Sequence, residues 1–181
     1  TFSELSTRFG QFAREQWAQW RAMMKEPYYK LGVSDMMGTG IGIAAWGLVT
    51  GVAMVKSGMS VPLSIFMSLL IYAGSAQLAV LPLLVAGAPL WVIWLTAICV
   101  NLRFVIFSQM WRSYFHEFPR NKRLLLGYFS GDVIFVGFMK RFPDAKPAPG
   151  QVAYFSGAAS TNWMMWQIPS IAGMLLANAI P

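Results

Sequence analysis

Apolar residues arrive in blocks along this chain, and most blocks are as long as a bilayer is thick. The first runs from about 36 to 55, MMGTGIGIAAWGLVTGVAMV, with glycines at 38, 40, 42, 47 and 51 and no charge. About 20 mostly apolar residues span the hydrocarbon core as a helix, so this block predicts a first spanning helix. Small residues at this density let helices approach closely in lipid, or mark a break beside a cavity. The second block extends from Pro62 to about Ala86 and holds a small, polar insert, Ala73-Gly74-Ser75-Ala76-Gln77, at its middle. Gly87-Ala88-Pro89 then predicts a tight turn. A third block, about 90 to 111, opens with Trp91 and Trp94 near one interface, carries Asn101 and Arg103 in its second half, and ends at Trp111-Arg112. The last, about Val152 to Ile180, contains Ser156, Ser160, Thr161, Asn162, Gln167 and Pro169.

The block between these, Leu124 to Met139, breaks the pattern. It is broken by Gly127, Gly131, Asp132 and Gly137 and is shorter than the ~17 to 25 residues of a simple span. Basic connectors flank it on both sides, at 112–123 and at 140–149, and each favours the cytoplasmic face. A re-entrant or broken helix satisfies both conditions. A short tilted span with one connector outside is the alternative, and the membrane orientation stays open at this level.

Residues 1–30 read differently from the rest. Phe2, Leu5, Phe9, Phe12, Trp17, Trp20 and Met24 recur at helical steps, with Arg8, Arg14, Glu15 and Arg21 between them. This predicts an amphipathic helix, lying in the headgroup layer or packed on the membrane domain or a partner. Pro27 closes the pattern. The domain reading is an amphipathic N-terminal segment, 1–30, followed by a transmembrane permease domain, 31–181. The chain starts at Thr1 and stops at Pro181 directly after an apolar run, so both ends read as cuts in a longer protein.

Composition agrees with the blocks. The chain is 56% hydrophobic and 12% charged, with a mean hydropathy of +0.51, whereas soluble domains carry roughly a quarter charged residues. The fold class is therefore all-α, a polytopic integral membrane helix bundle with glycine-rich, broken or re-entrant helices. The net charge of +7 sits in connectors, and the aromatics lie inside apolar runs. That is the distribution of membrane anchors and not of a nucleic-acid groove, so nucleic acid is excluded as a partner. Cys99 stands alone in an apolar run, where a buried thiol is expected, and His116 is the only histidine, so no metal-ligand cluster forms and no cofactor is implied.

Charge inside a bilayer costs ~2.5 to 3.5 kcal/mol on insertion scales, so Arg103 and Asp132 need reasons. Arg103 either reaches the headgroups or faces the bundle interior, where its fork pairs with a carboxylate from a substrate or from Asp132. Asp132 either caps a half-helix or serves as a proton relay or ammonium site. Ser75, Gln77, Asn101 and Asn162 are neutral; each is interhelical glue or a contact in a shared polar cavity.

Ala73-Gly74-Ser75-Ala76-Gln77 followed by Asn101-Leu102-Arg103 resembles the AzlC family of branched-chain amino-acid permeases. So do Asp132 after Arg123-Leu124-Leu125-Leu126, and Tyr154-Phe155-Ser156-Gly157 leading to Trp163–Trp166. The resemblance runs from about Leu31 to Pro181. It departs from the family pattern at Phe104, at Asp132-Val133 where an acidic pair is common, and at Thr39-Gly40-Ile41-Gly42 where proline is common. The resemblance implies a multi-pass protein of the bacterial inner membrane that exports branched-chain or other hydrophobic amino acids with a small AzlD-type membrane subunit as partner. On that reading Gly74, Ser75, Gln77, Asn101, Arg103, Asp132 and Asn162 are the substrate-binding candidates, with proton coupling through Asp132. The competing classes are a non-transporting scaffold subunit and a membrane-embedded enzyme. The enzyme reading lacks a nucleophile–base pair or metal motif.

Overall fold

The computed structural model describes Arg14 and residues 17–179. Regular structure among the described residues is helical throughout, as expected. Of the predicted amphipathic segment, residues 17–24 are helical, and residues 1–13, 15 and 16 lie outside the described part. Helix α1 spans Pro27–Lys56, starting on a proline that needs no intrahelical donor at that position. It begins well before the apolar block at 36, so the boundary expected at 30–31 falls in its first turn. Then come α2 (Val61–Ile71), α3 (Gly74–Val85), α4 (Leu90–Asn101), α5 (Arg103–Phe115), α6 (Arg120–Tyr128), α7 (Asp132–Arg141) and α8 (Gln151–Leu176), closed by a short 3-10 turn, Ala177–Ala179.

The spine of the molecule is α1 against α8. The two run parallel and in register, because Gly32 meets the backbone at Tyr154 and Ala158, Gly47 meets Trp166, and Gly51 meets Ser170 and Met174. The fit is mutual: Gly157 lies on the Tyr29 carbonyl and Gly173 on that of Leu48. At each of these five positions a Cβ would run into the other helix's backbone, and of the glycines predicted to permit close approach Gly47 and Gly51 do so. Gly38 and Gly42 face open space and are not part of this seam.

Two hairpins fold onto that spine from opposite ends. α2 descends along α8, with Ser68 at Gln167 and Tyr72 at Asn162. At Tyr72 and Ala73 the chain turns back, and α3 climbs again from Trp166 at Gly74 to Met54 and Met174 at Leu81. The second apolar block is thus a hairpin and not a single span. The polar insert read from the sequence follows directly on this turn, with Gly74 to Gln77 forming the first turn of α3. The reversal uses Tyr72 in the left-handed region (φ 45°), the single non-glycine with positive φ among the described residues.

α4 and α5 form a nearly continuous run, Leu90–Phe115, 26 residues long, interrupted only at Leu102. It and α1 are long and apolar enough to cross a membrane. α4 buries none of its residues; Trp91, Trp94 and Ile98 are exposed, and so is Cys99, against the expectation of a buried thiol. An outward face of such apolarity suits hydrocarbon, which gives the thiol an apolar setting without protein around it. From the end of α5 the chain enters the second hairpin. α6 rises to Tyr128, and α7 returns from Asp132, so that Phe142 and Phe138 pack on Tyr154 and Phe155 near the start of α8. This pair of helices is the break expected in the segment, although its first arm begins at Arg120 rather than at Leu124. An aromatic cluster of Trp111, Phe115, Phe135, Phe138 and Phe155 cements it to α5 and α8.

Candidate functional site

The two hairpin tips meet at mid-height of α8. The Tyr72 and Tyr128 rings lie 5.9 Å apart, and the Tyr128 hydroxyl donates to the Leu69 carbonyl. Each tip starts a returning half-helix, α3 at Gly74 and α7 at Asp132, so two helix N-termini point at one small volume. Their unpaired backbone N–H groups and aligned peptide dipoles make it electropositive.

Arg103, the first residue of α5, sits between these two termini. Its Nη2 donates to Ser75 Oγ at 2.9 Å, and its Nε lies 3.1 Å from Asp132 Oδ1. The second contact is an ion pair without hydrogen-bond alignment, since Nε has no hydrogen-bonded partner. The Arg103 and Asp132 side chains are 34% and 42% exposed, so both reach open volume. Asp132 follows the N-cap residue Gly131 and is the acidic residue in the first turn of α7. Arg103 thus has Ser75 and the carboxylate of Asp132 as its partners, the second of them the pairing foreseen from the sequence.

A cavity of about 60 Å³ surrounds the pair, lined by Tyr72, Gly74, Ser75, Arg103, Asp132, Asn162 and Trp166 among others. Asn162 Nδ2 donates to the Tyr72 hydroxyl at 2.5 Å, but Asn162 Oδ1 and Trp166 Nε1 are buried without partners. Unmet buried polar groups beside a cavity are the groups a polar ligand would satisfy. Charge counting points the same way: one arginine and two helix N-termini face one carboxylate. The site has room for one more negative group, and an arginine fork suits a carboxylate. A second cavity of about 600 Å³ shares Asp132 and Val133, and continues along Met36, Thr39, Val136 and Gly137 to Asp35 and Arg141. There Arg141 Nη2 donates to Asp35 Oδ2 at 3.0 Å, and the Tyr154 hydroxyl donates to the same oxygen at 2.9 Å.

Five of the seven residues singled out from sequence thus converge: Gly74, Ser75, Arg103, Asp132 and Asn162. Gln77 and Asn101 do not line this cavity. Gln77 is fully buried and donates from Nε2 to Met54 Sδ at 3.5 Å, toward α1. Positions two apart on a helix face different ways, so Ser75 and Gln77 could not both look at Arg103. Asn101 ends α4 with its Oδ1 unpartnered. Sequence reasoning missed Tyr72 and Trp166. The polar insert beside Tyr72 was the available signal; Trp166 read as ordinary packing and carries that role too, edge-on to Trp46 at 5.3 Å.

Residues 38–180 match the family described as "AzlC protein". The chain belongs to the AzlC family. This stretch takes in both hairpins, Arg103 and Asp132. The AzlC match is accompanied by a more distant likeness to an Escherichia coli (strain K12) protein, "Inner membrane protein YgaZ", 24% identical over 131 residues. Those residues are 72% of this chain and 53% of that relative, so the chain spans about half the relative's length. No solved structure matches this AzlC chain. Family and relative together make it a membrane protein of a transport-related family.

Proposed function

We propose that this chain forms the substrate-binding core of a secondary transporter that exports branched-chain or other hydrophobic amino acids across the bacterial inner membrane. The observation that carries this reading is Arg103 held between two half-helix N-termini and paired with Asp132 beside a cavity. An α-amino acid is a zwitterion: its carboxylate suits the arginine and the helix ends, and its ammonium suits Asp132. The 60 Å³ pocket takes only that head. The adjoining 600 Å³ cavity offers Met36, Val133 and Val136 to an aliphatic side chain. In the empty site Arg103 and Asp132 neutralise each other, and a bound zwitterion exchanges partners with both. Release of substrate re-forms the pair, which keeps the cost of a bare charge low in both states. Proton coupling rests on Asp132, which is without a counter-ion in the step after the substrate ammonium leaves and before Arg103 returns to it.

On this reading α1, α4–α5 and α8 cross the membrane, and the hairpins enter from opposite faces. The ends of α5 and α7 and the starts of α1, α6 and α8 then share one face, with Lys30, Arg112, Arg120, Arg123 and Lys140 near it. The positive-inside bias makes that face cytoplasmic. A small AzlD-type subunit is the expected membrane partner.

The test is amino-acid efflux from cells loaded with branched-chain dipeptides, with the full-length gene expressed beside its small partner. Wild type should speed release of Val, Leu, Ile or Met, and Arg103→Ala and Asp132→Asn at equal membrane levels should not. Efflux no faster than that of empty cells would remove the export reading for these substrates and bring the scaffold reading forward.

A further inference from the structure

A third cavity, adjoining the central pocket at Phe104 and Ser130, lies between α5 and α6. It measures about 340 Å³ and is walled by Phe104, Phe107, Phe115, Leu124 and Leu126, with Arg112, Arg120 and Arg123 also in its lining. Those arginines are exposed, and their side chains pair with no carboxylate among the described residues. Three exposed guanidiniums beside one apolar groove offer charge-assisted hydrogen bonds to an anionic headgroup.

We propose that this groove holds one anionic phospholipid from the leaflet at the basic end, its phosphate on Arg112, Arg120 and Arg123 and one acyl chain laid along Phe104, Phe107 and Leu124. The dimensions fit. From Phe104 to Arg112 the helix rises ~12 Å at ~1.5 Å per residue. One leaflet of the hydrocarbon core is ~15 Å, half of ~30 Å. The apolar floor therefore starts at headgroup depth and stops short of mid-membrane. The chemistry also excludes other occupants. A free phosphate has no use for the apolar floor, and no acidic side chain lines the groove to receive the ammonium of an amino acid. Basic pockets between helices on the cytoplasmic side suit anionic headgroups. Leu124 lines the groove and is 62% exposed, which leaves the groove open to a lipid arriving sideways.

Phe104 and Ser130 line both this groove and the central pocket, and Trp111 Nε1 donates to Ser130 Oγ at 2.7 Å. A lipid here braces the tip of the second hairpin from behind. The inference stands apart from the transport reading, because it needs only the groove and its charges.

The test uses the purified full-length protein in mild detergent, with bound lipid read by native mass spectrometry. Phosphatidylglycerol and phosphatidylcholine of equal chain length are offered, with inorganic phosphate as competitor. The protein should retain phosphatidylglycerol at least about tenfold better than phosphatidylcholine, as expected for several basic groups on one headgroup. Joint replacement R112Q, R120Q and R123Q should abolish the preference. Leu124→Trp, which fills the floor and leaves the arginines, should lower retention of both lipids. If the triple variant does not fold, Arg123→Gln and Leu124→Trp alone give the same reading, each with reduced phosphatidylglycerol. Equal retention of both lipids, displacement by inorganic phosphate, or an unaffected Leu124→Trp variant would each overturn the proposal. So would a membrane subunit that crosslinks to position 124 in place of lipid.

Discussion

The α2–α3 hairpin holds to the spine with neutral groups. Ser68 Oγ donates to Gln167 Oε1, Gln167 Nε2 returns a bond to the Ser68 carbonyl, and Asn162 donates to Tyr72, all between 2.5 and 2.9 Å. The α6–α7 hairpin is held by aromatic packing and by charge: Phe107 stacks on Phe135 at 4.1 Å, and its arm ends in the Arg141–Asp35 pair. The same backbone device is thus built twice with different chemistry. In hydrocarbon a neutral hydrogen bond loses little by staying put, while an ion pair can exchange partners with a charged ligand. The first hairpin reads as the fixed wall of the site and the second as the arm that answers to charge.

The largest effect should come from removing what both hairpins share. Gly51→Leu would drive a side chain into the backbone of α8 at Ser170 and Met174, and no rotamer avoids main-chain atoms. The variant should fail to give a monodisperse peak on detergent gel filtration. Gly38→Leu, at a position with nothing within 4 Å, should behave as wild type. Equal behaviour of the two would mean that the parallel seam does not hold the molecule.

Next in size is the contrast between inner and outer ion pairs. Arg103→Ala removes a charge-assisted contact to Ser75 and the partner of Asp132. Efflux should fall at least ~30-fold, the kinetic counterpart of ~2 kcal/mol for a bond to a charged group. Arg141→Ala leaves Asp35 with the Tyr154 hydroxyl, and the pair it breaks, about as exposed as the inner one, does not border the central pocket. Exposed pairs contribute ~0 to 1 kcal/mol, so the loss should be no more than about fivefold. A larger loss at Arg141 than at Arg103 would move the charge-responsive element from the centre to the end of α7.

How much of this was legible beforehand divides along the same line. The second hairpin could be read from sequence because its device is electrostatic: basic connectors at both ends and Asp132 in the middle admit few topologies. The first hairpin could not. Its turn rests on Tyr72 in a left-handed conformation, which the residue type does not announce, whereas glycines do so at Gly58, Gly87 and Gly150. The direction of polar side chains was also out of reach. Arg103 could be expected to find a carboxylate, but whether Ser75 or Gln77 faced it depended on the rotation of α3, which the Gly74–Trp166 and Gln77–Met54 contacts fix. Close approach through glycine was foreseeable; which glycines did the work was not, since Gly38 and Gly42 point away.

A smaller effect tests the neutral hairpin alone. Gln167→Leu deletes both bonds to Ser68 at a fully buried position. The Ser68 carbonyl keeps the Tyr72 amide at 3.2 Å, so only the hydroxyl is left without its partner. The cost should be ~1 to 3 kcal/mol, seen as a lowered Tm in detergent with the lipid preference at the α5–α6 groove unchanged. A loss of that preference would show that the two hairpins are not independent.

The smallest expected change is Tyr72→Phe, and it bears most directly on the role of the wall. The ring can keep its place beside Tyr128, and the backbone keeps its left-handed turn, so only the hydroxyl that accepts from Asn162 is lost. Asn162 already has an unpartnered Oδ1 facing the cavity region, and loss of its one bond frees the amide to rotate. If the first hairpin merely walls the site, efflux should fall two- to fivefold through a looser pocket, an effect of ~0.5 to 1 kcal/mol, with the order of preference among Val, Leu, Ile and Met unchanged. If instead that order changes, Asn162 and Tyr72 read the substrate themselves, and selectivity belongs to the neutral hairpin rather than to the charged one.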